Sequence, residues 1–243
     1  MWNQIWRLAT MDLSKRWLML VGSIAFYVYC GLVMNLMEFR FHDALDSKFL
    51  SIYLAIISNF FVLAIIPNLG FPLKKKYLNY WKTDIFSKRL AFLKSLPISN
   101  REIVWSRYVQ VLIVMMLMST IFFSSYWLIS VIFGDAGLHF GTYLLFAITW
   151  IGYSMLMSAL YVFWELALWG KQYFIRNIMM IPVYAAIGVL LWLFMGNSLW
   201  ETVLSGIVVH PVLMPLISLA AGITAVGVSG RRLEKKLEER DYS

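Results

Sequence analysis

Long apolar runs alternate with short polar breaks along almost the whole chain. Six runs, at about residues 17–37, 50–70, 109–133, 140–163, 177–195 and 210–229, approach the roughly 20 apolar residues needed to cross about 30 Å of hydrocarbon. Backbone polar groups in hydrocarbon must be satisfied within the segment, so runs of this kind predict helices. The pattern predicts an all-α polytopic membrane protein, a single transmembrane domain over 1–243 with six transmembrane helices. Ahead of the first run, Trp2, Ile5, Trp6, Ala9 and Leu13 recur at helical spacing on one face, and Arg7, Lys15 and Arg16 provide positive charge. This reads as an interfacial helix over 1–16, or as an ordinary polar lead-in to the first span.

The longest polar interruption lies between the second and third runs. Residues 84–108, DIFSKRLAFLKSLPISNREIVWSRY, spell a short amphipathic helix, a stop and a new helix start. Ile85, Phe86, Leu90 and Leu93 can share one helical face, with Lys88, Arg89 and Lys94 around the others. Pro97 lacks a backbone donor and biases Leu96 away from helix. Ser99 with Glu102 three residues later predicts a capping box, and Ile98 and Ile103 stand where a hydrophobic staple closes. The second helix runs through Trp105 and Tyr108 into the third span. The segment is either a cytosolic elbow that couples a docked partner to a membrane helix, or a solvated loop with a capped helix start. The stretch 164–176 predicts a second short interfacial helix, weakened by Gly170.

Charge sets the orientation. Nineteen of the 21 Lys and Arg residues fall on one side of the predicted spans, leaving Arg40 and Lys48 on the other. By the positive-inside rule both termini, the elbow and the 230–243 tail are cytosolic. The net charge of +8 therefore reflects topology rather than nucleic-acid binding. Lys74–Lys76 reads as a headgroup anchor. The outer loops are short and carry Glu38, Asp43, Asp46, Asp135 and Glu201, too little for an outer domain. Residues 2–7 lack the basic start and apolar core of a signal peptide. The single cysteine, Cys30, lies in an apolar run and reads as a packing residue.

Within the spans polar residues are few. Asn59, beside Ser58, needs a partner at its depth and is either structural glue or a substrate contact. Pro182, Pro211 and Pro215 allow kinks. Gly152, Ser154 and Ser158 in span four, and Ser218, Gly222 and Gly227 in span six, mark close packing faces. No ionisable residue lies mid-span, where a proton-coupled transporter places them. There is no P-loop and no H-E-x-x-H run, and His42, His139 and His210 are scattered, so no catalytic or metal site is expected.

The run Leu96, Pro97, Ile98, Ser99, Arg101, Glu102, Ile103, Val104, Ser106, Arg107 and Tyr108 resembles the cytosolic loop of ABC-2 type transporter permeases. Many bacterial members carry Leu-Pro-(Ile/Leu)-Ser-x-(Lys/Arg)-Glu-Ile-Val-x-(Ser/Gly)-(Lys/Arg)-Tyr just before the third span. The six-span layout agrees with that family over nearly the whole chain. Where many members have an acidic residue and a Gly-Thr pair, this chain reads Phe86-Ser87-Lys88-Arg89-Leu90, which suggests a divergent branch. The resemblance implies a non-catalytic half-transporter of an exporter in a bacterial cell membrane. It implies a second permease copy or paralogue and two copies of a separate ATPase subunit that binds the ATP and Mg²⁺. It implies ATPase coupling through Phe86, Arg89, Leu90, Leu93, Leu96, Pro97, Ser99 and Glu102, with 164–176 as a minor contact. It also implies a path along spans two and five, with Asn59, Phe60 and Tyr184 as lining residues. An apolar, aromatic path suits an amphipathic or hydrophobic cargo such as a peptide, lipid or drug-like molecule. The competing reading is a membrane-embedded accessory, sensor or immunity protein that needs no ATPase.

Overall fold

The computed structural model describes residues 2–14, 17–40, 48–72, 84–132 and 139–239. Lys74–Lys76, His42, Asp43, Asp46 and Asp135 lie outside them. Among the described residues all regular structure is helical, and six helices are long and apolar enough to cross a membrane. We label the helices α1 (Trp2–Ser14), α2 (Trp17–Asn35), α3 (Lys48–Ile65), α4 (Ile85–Lys94), α5 (Asn100–Ile132), α6 (Phe140–Ala167), α7 (Gly170–Met195), α8 (Leu199–Val209) and α9 (Leu213–Glu239). A π-helical turn, Leu36–Arg40, continues α2, and a 3₁₀ turn, Ile66–Gly70, ends α3 where Pro67 removes a backbone donor.

The spans pack where side chains are small. Helices α6 and α9 make the most extensive contact, crossing at Gly152 and Gly222. A Cβ on Gly152 would stand 2.5 Å from the carbonyl carbon of Ser218, and one on Gly222 would stand 2.7 Å from the oxygen of Gly152. Ser218 donates to the carbonyl of Thr149 at 2.6 Å in the same seam. Ser154 instead donates to the carbonyl of Ile66 at 2.9 Å, holding the 3₁₀ turn, and Ser158 reaches Pro67 at 3.5 Å. Gly227 faces open space and takes no part in the seam.

Two features differ from the sequence reading at the end away from the basic loops. Residues 199–209, read as an outer loop, form α8, an apolar helix too short to span. Ser198 caps it by accepting from the Glu201 N–H at 3.1 Å. Trp200 is 2% exposed among Phe122, Phe123, Tyr126, Phe146 and Trp150, and its indole donates to the Tyr126 hydroxyl at 2.8 Å. Glu38, read as a loop acid, is buried in the π-helical turn. It accepts from Ser198 at 2.8 Å and from Ser58, so one carboxylate joins α2, α3 and the start of α8. Span six consequently begins at Leu213 rather than at His210. Pro211 lies in the turn before it and Pro215 in its first turn, where a missing N–H breaks no helical bond, so neither kinks the span. Pro182 does lie inside a helix, α7.

At the basic end the break between α6 and α7 is only Leu168 and Trp169, so 164–176 forms no separate helix. Residues 164–167 finish α6, and Gly170 starts α7. The 230–239 part of the predicted tail continues α9, with Leu233 and Leu237 fully buried.

Candidate coupling site

The site grows from a sharp turn. Pro97 sits in a three-residue turn closed by the Ile98 N–H on the Leu96 carbonyl at 2.7 Å. Ser99 then opens α5. Its hydroxyl accepts from the Glu102 N–H at 3.3 Å, and the Glu102 carboxylate accepts from the Ser99 N–H at 3.1 Å and hydroxyl at 2.9 Å. This is the capping box expected from Ser99 and Glu102. Ile98 and Ile103 join one apolar cluster, as a staple requires. Helix α5 has 33 residues, about 50 Å of length against about 30 Å of hydrocarbon, so its first turns project beyond the bilayer. There the Ser99 backbone N–H and hydroxyl hold the Glu102 carboxyl below the usual carboxylate range.

Helix α4 is fixed at both ends. At its start, Asp84 is the only non-glycine residue with positive φ among the described residues (φ 41°, ψ 52°). Aspartate tolerates this left-handed conformation better than most residues. Its carboxylate accepts from the Ser87 N–H at 3.3 Å and from the Gly170 N–H at 2.9 Å. One negative group thus serves the N-termini of α4 and α7, where helix dipoles favour it. The Phe86 ring meets Tyr173 of α7 edge-on at 5.3 Å. At the other end, Lys94 donates to the Leu237 carbonyl in the last turn of α9 at 2.5 Å. A lysine there also complements the C-terminal end of the dipole.

The start of α5 is tied to two more spans. Arg107 donates from Nε (3.0 Å) and Nη2 (2.7 Å) to one oxygen of Glu165 on α6, and from Nη1 to Gln110 at 2.8 Å. Arg107 and Glu165 are both buried, and the guanidinium lies 5.8 Å from the Phe71 ring centre. Trp105 donates to Glu234 on α9 at 2.5 Å. Tyr108 donates to Ser229 at 2.9 Å, and a Cβ on Gly230 would stand 3.2 Å from the Trp105 ring, so the two helices approach closely there. These contacts tie α4 and the start of α5 to α6, α7 and α9.

The face of α4 read as meeting a partner is only partly available. Phe86 and Leu90 are buried (7% and 2% exposed) against the chain's own helices, and Leu93 packs beside them. The apolar pattern identified a face that buries, and that face buries inside the molecule. Arg89 lines a cavity toward α1, α5 and α6. Ser99 and Glu102 are engaged with each other. The outward residues over 88–99 are Lys88, Phe92 (63% exposed), Ser95, Leu96 (38%), Pro97 and Ser99.

The lining residues are also placed differently. Asn59 is fully buried, donating to the Gly188 carbonyl at 3.1 Å and accepting from the Leu199 N–H at 2.5 Å. It joins α3, α7 and α8 and is structural glue. Tyr184 is buried with its hydroxyl 2.7 Å from that of Tyr161. Phe60 is half-buried beside Tyr184. Asn59 and Tyr184 are thus buried inside the chain, and Phe60 is partly so.

Sequence reasoning placed Asp84 at the start of the elbow without giving it a role, and did not tie Glu165, Glu234 or Leu237 to it. A signal existed for the tail: Leu233 and Leu237 repeat at i, i+4 beyond Gly230.

These features define a class, a six-span helical membrane protein whose elbow is built into the ends of its spans. Residues 76–230 match the family model described as ABC-2 family transporter protein, and the chain belongs to that family. The matched segment contains the whole elbow, α5 to α8 and most of α9. No curated protein and no solved structure gives a match. Membership makes the chain a membrane permease of an ABC transporter and implies an ABC ATPase as its partner.

Proposed function

We propose that the chain is the permease of an ATP-driven exporter in which α4 is the coupling helix. The observation that carries this reading is the elbow's construction. A short basic helix exposes Phe92 while Asp84, Lys94 and the Ser99–Glu102 box fix it to the spans. A separate ATPase, which holds ATP and Mg²⁺, seats Phe92 and Leu96 in an apolar cleft. Its closure moves α4, and the α5 start transmits the motion. The basic end is then cytosolic, a placement that the Lys/Arg distribution supports. Two permeases form the transporter, and the cargo path lies between them along spans two and five. Exposed Phe49 and Tyr53 on α3 replace the buried Asn59 and Tyr184 as lining candidates. An uncharged aromatic lining suits an amphipathic or hydrophobic cargo.

The test is co-purification of the tagged full-length chain from its native membranes. The expected result is an ATP-binding-cassette subunit bound to wild type and lost from Phe92→Asp, with the melting temperature of the permease unchanged. Leu90→Asp serves poorly, because a charge there enters the core and unfolds the elbow. Equal retention of the ATPase by Phe92→Asp, or purification without any ATPase, overturns the reading.

A further inference from the structure

Toward the basic end a groove of about 240 Å³ opens between α6 and α9, lined by Leu160, Phe163 and Trp164 from α6 and by Ala225, Val228 and Arg232 from α9. We propose that it holds one anionic phospholipid of the leaflet at that end, with the phosphate on Arg232 and the first methylenes against Leu160 and Val228. Among the described lining residues Arg232 carries the only charge, and there is no carboxylate. Ser229 also lines the groove, with its hydroxyl already engaged: it donates to the Ala225 carbonyl at 2.6 Å and accepts from Tyr108 at 2.9 Å. The carboxylates next along the two helices are committed as well, Glu165 to Arg107 and Glu234 to the Trp105 indole. Two further cations stand on the aromatic walls. The Arg176 guanidinium lies 5.7 Å from the Trp164 ring centre, and the Lys236 ammonium lies 5.7 Å from that of Phe163. This end of the groove is therefore positive, and a phosphate complements it.

The rest of the wall decides between a lipid and a free anion. Away from Arg232 the groove is apolar, and from Ala225 to Arg232 it follows α9 for about 10 Å. Helix α9 changes character at this point: Leu213 to Ser229 contains no charge, and Arg231, Arg232, Glu234, Lys235 and Lys236 follow. The edge of the hydrocarbon therefore falls beside Arg232, and Trp164 stands where indoles collect, at the headgroup level. A free phosphate gains nothing from an apolar wall, whereas the methylenes of a lipid do. The volume falls just below the roughly 300 Å³ of small-ligand pockets, so it takes the glycerol and part of one chain rather than a whole lipid. A lipid seated there bridges α6 and α9 beside the Tyr108–Ser229 bond that joins α9 to α5.

The experiment uses the full-length chain in phosphatidylcholine nanodiscs. A trace of phosphatidylglycerol or phosphatidylcholine carries a diazirine near the glycerol end of one acyl chain. Photolysis and peptide mass spectrometry then locate the labelled residues. The phosphatidylglycerol probe is expected to label 160–164 and 225–228 about tenfold more than the phosphatidylcholine probe, whose choline the same cations repel. Met116 and Leu117, exposed on α5, are expected to take both probes equally. Arg232 is exposed, so Arg232→Gln leaves the fold intact, and it is expected to abolish the preference. Arg231→Gln, about 100° around the same helix and outside the groove, is expected to keep it. Equal labelling of the groove by both probes marks an ordinary lipid-facing surface and overturns the proposal. Equal losses from Arg231→Gln and Arg232→Gln mark diffuse attraction and also overturn it, as does a preference that survives Arg232→Gln. Suppression of the labelling by millimolar inorganic phosphate overturns it too, since the acyl chain then adds nothing. No ATPase is present, so failure here is separate from failure of the coupling reading.

Discussion

Glu165→Ala is expected to destabilise the protein by about 3–5 kcal/mol, the usual cost of breaking a buried ion pair from one side. Arg107 would remain buried with its positive charge, losing the acceptor at 2.7 and 3.0 Å and keeping Gln110 and the Phe71 ring. The loss comes from the stranded guanidinium more than from the missing attraction. Two controls separate these contributions. Glu165→Gln keeps an acceptor in place and is expected to lose less. Arg107→Met with Glu165→Leu removes both charges and is expected to melt near wild type, because an apolar pair of similar volume needs no desolvation. The measurement is thermal unfolding of the detergent-solubilised protein. A wild-type melting temperature for Glu165→Ala would show that the pair does not hold α5 to α6.

Trp200→Ala is expected to cost a similar amount, about 3–5 kcal/mol, for deletion of a large buried aromatic. Its ring centre lies 4.5 Å from that of Phe146 and 4.8 Å from that of Tyr126, in a close-packed core that relaxes only partly around a deletion. Trp200→Phe keeps much of the volume and loses the bond to the Tyr126 hydroxyl, for about 1 kcal/mol beyond repacking. Because Trp200 roots α8 in the bundle, the alanine variant should also exchange amide hydrogens faster over 199–209 than over α6. Uniform exchange across both helices contradicts the view of α8 as a separately anchored element.

The spans were legible because crossing hydrocarbon demands length and apolarity, both of which a sequence displays directly. Ser99 and Glu102 were legible because a capping box is local, closed within four residues. Helix α8 was hidden by the same length criterion that revealed the others. Its eleven residues are too few to span, although Ser198 and Glu201 repeat the capping signature seen at the elbow. The orientation of α4 was not legible for a different reason. Periodicity marks Phe86, Leu90 and Leu93 as a face that leaves water, and nothing local says whether it meets its own chain or another. Asn59 posed the same ambiguity, since a buried amide looks identical whether it contacts cargo or the carbonyl of Gly188. Arg107 with Glu165, and Lys94 with Leu237, are long-range pairs that only the packed bundle brings together.

The central claim, that α4 receives the stroke of an ATPase, is tested most directly by cross-linking. Cys30 is buried, so Phe92→Cys introduces a single accessible thiol. A photoactivatable maleimide attached there, in native membranes, reports what touches the tip of α4. The account predicts a covalent adduct with a nucleotide-binding subunit at Phe92→Cys and none at Leu216→Cys, which is exposed on span six. Photolysis that leaves Phe92→Cys free of any such adduct, while the labelled protein is folded and in the membrane, contradicts the account.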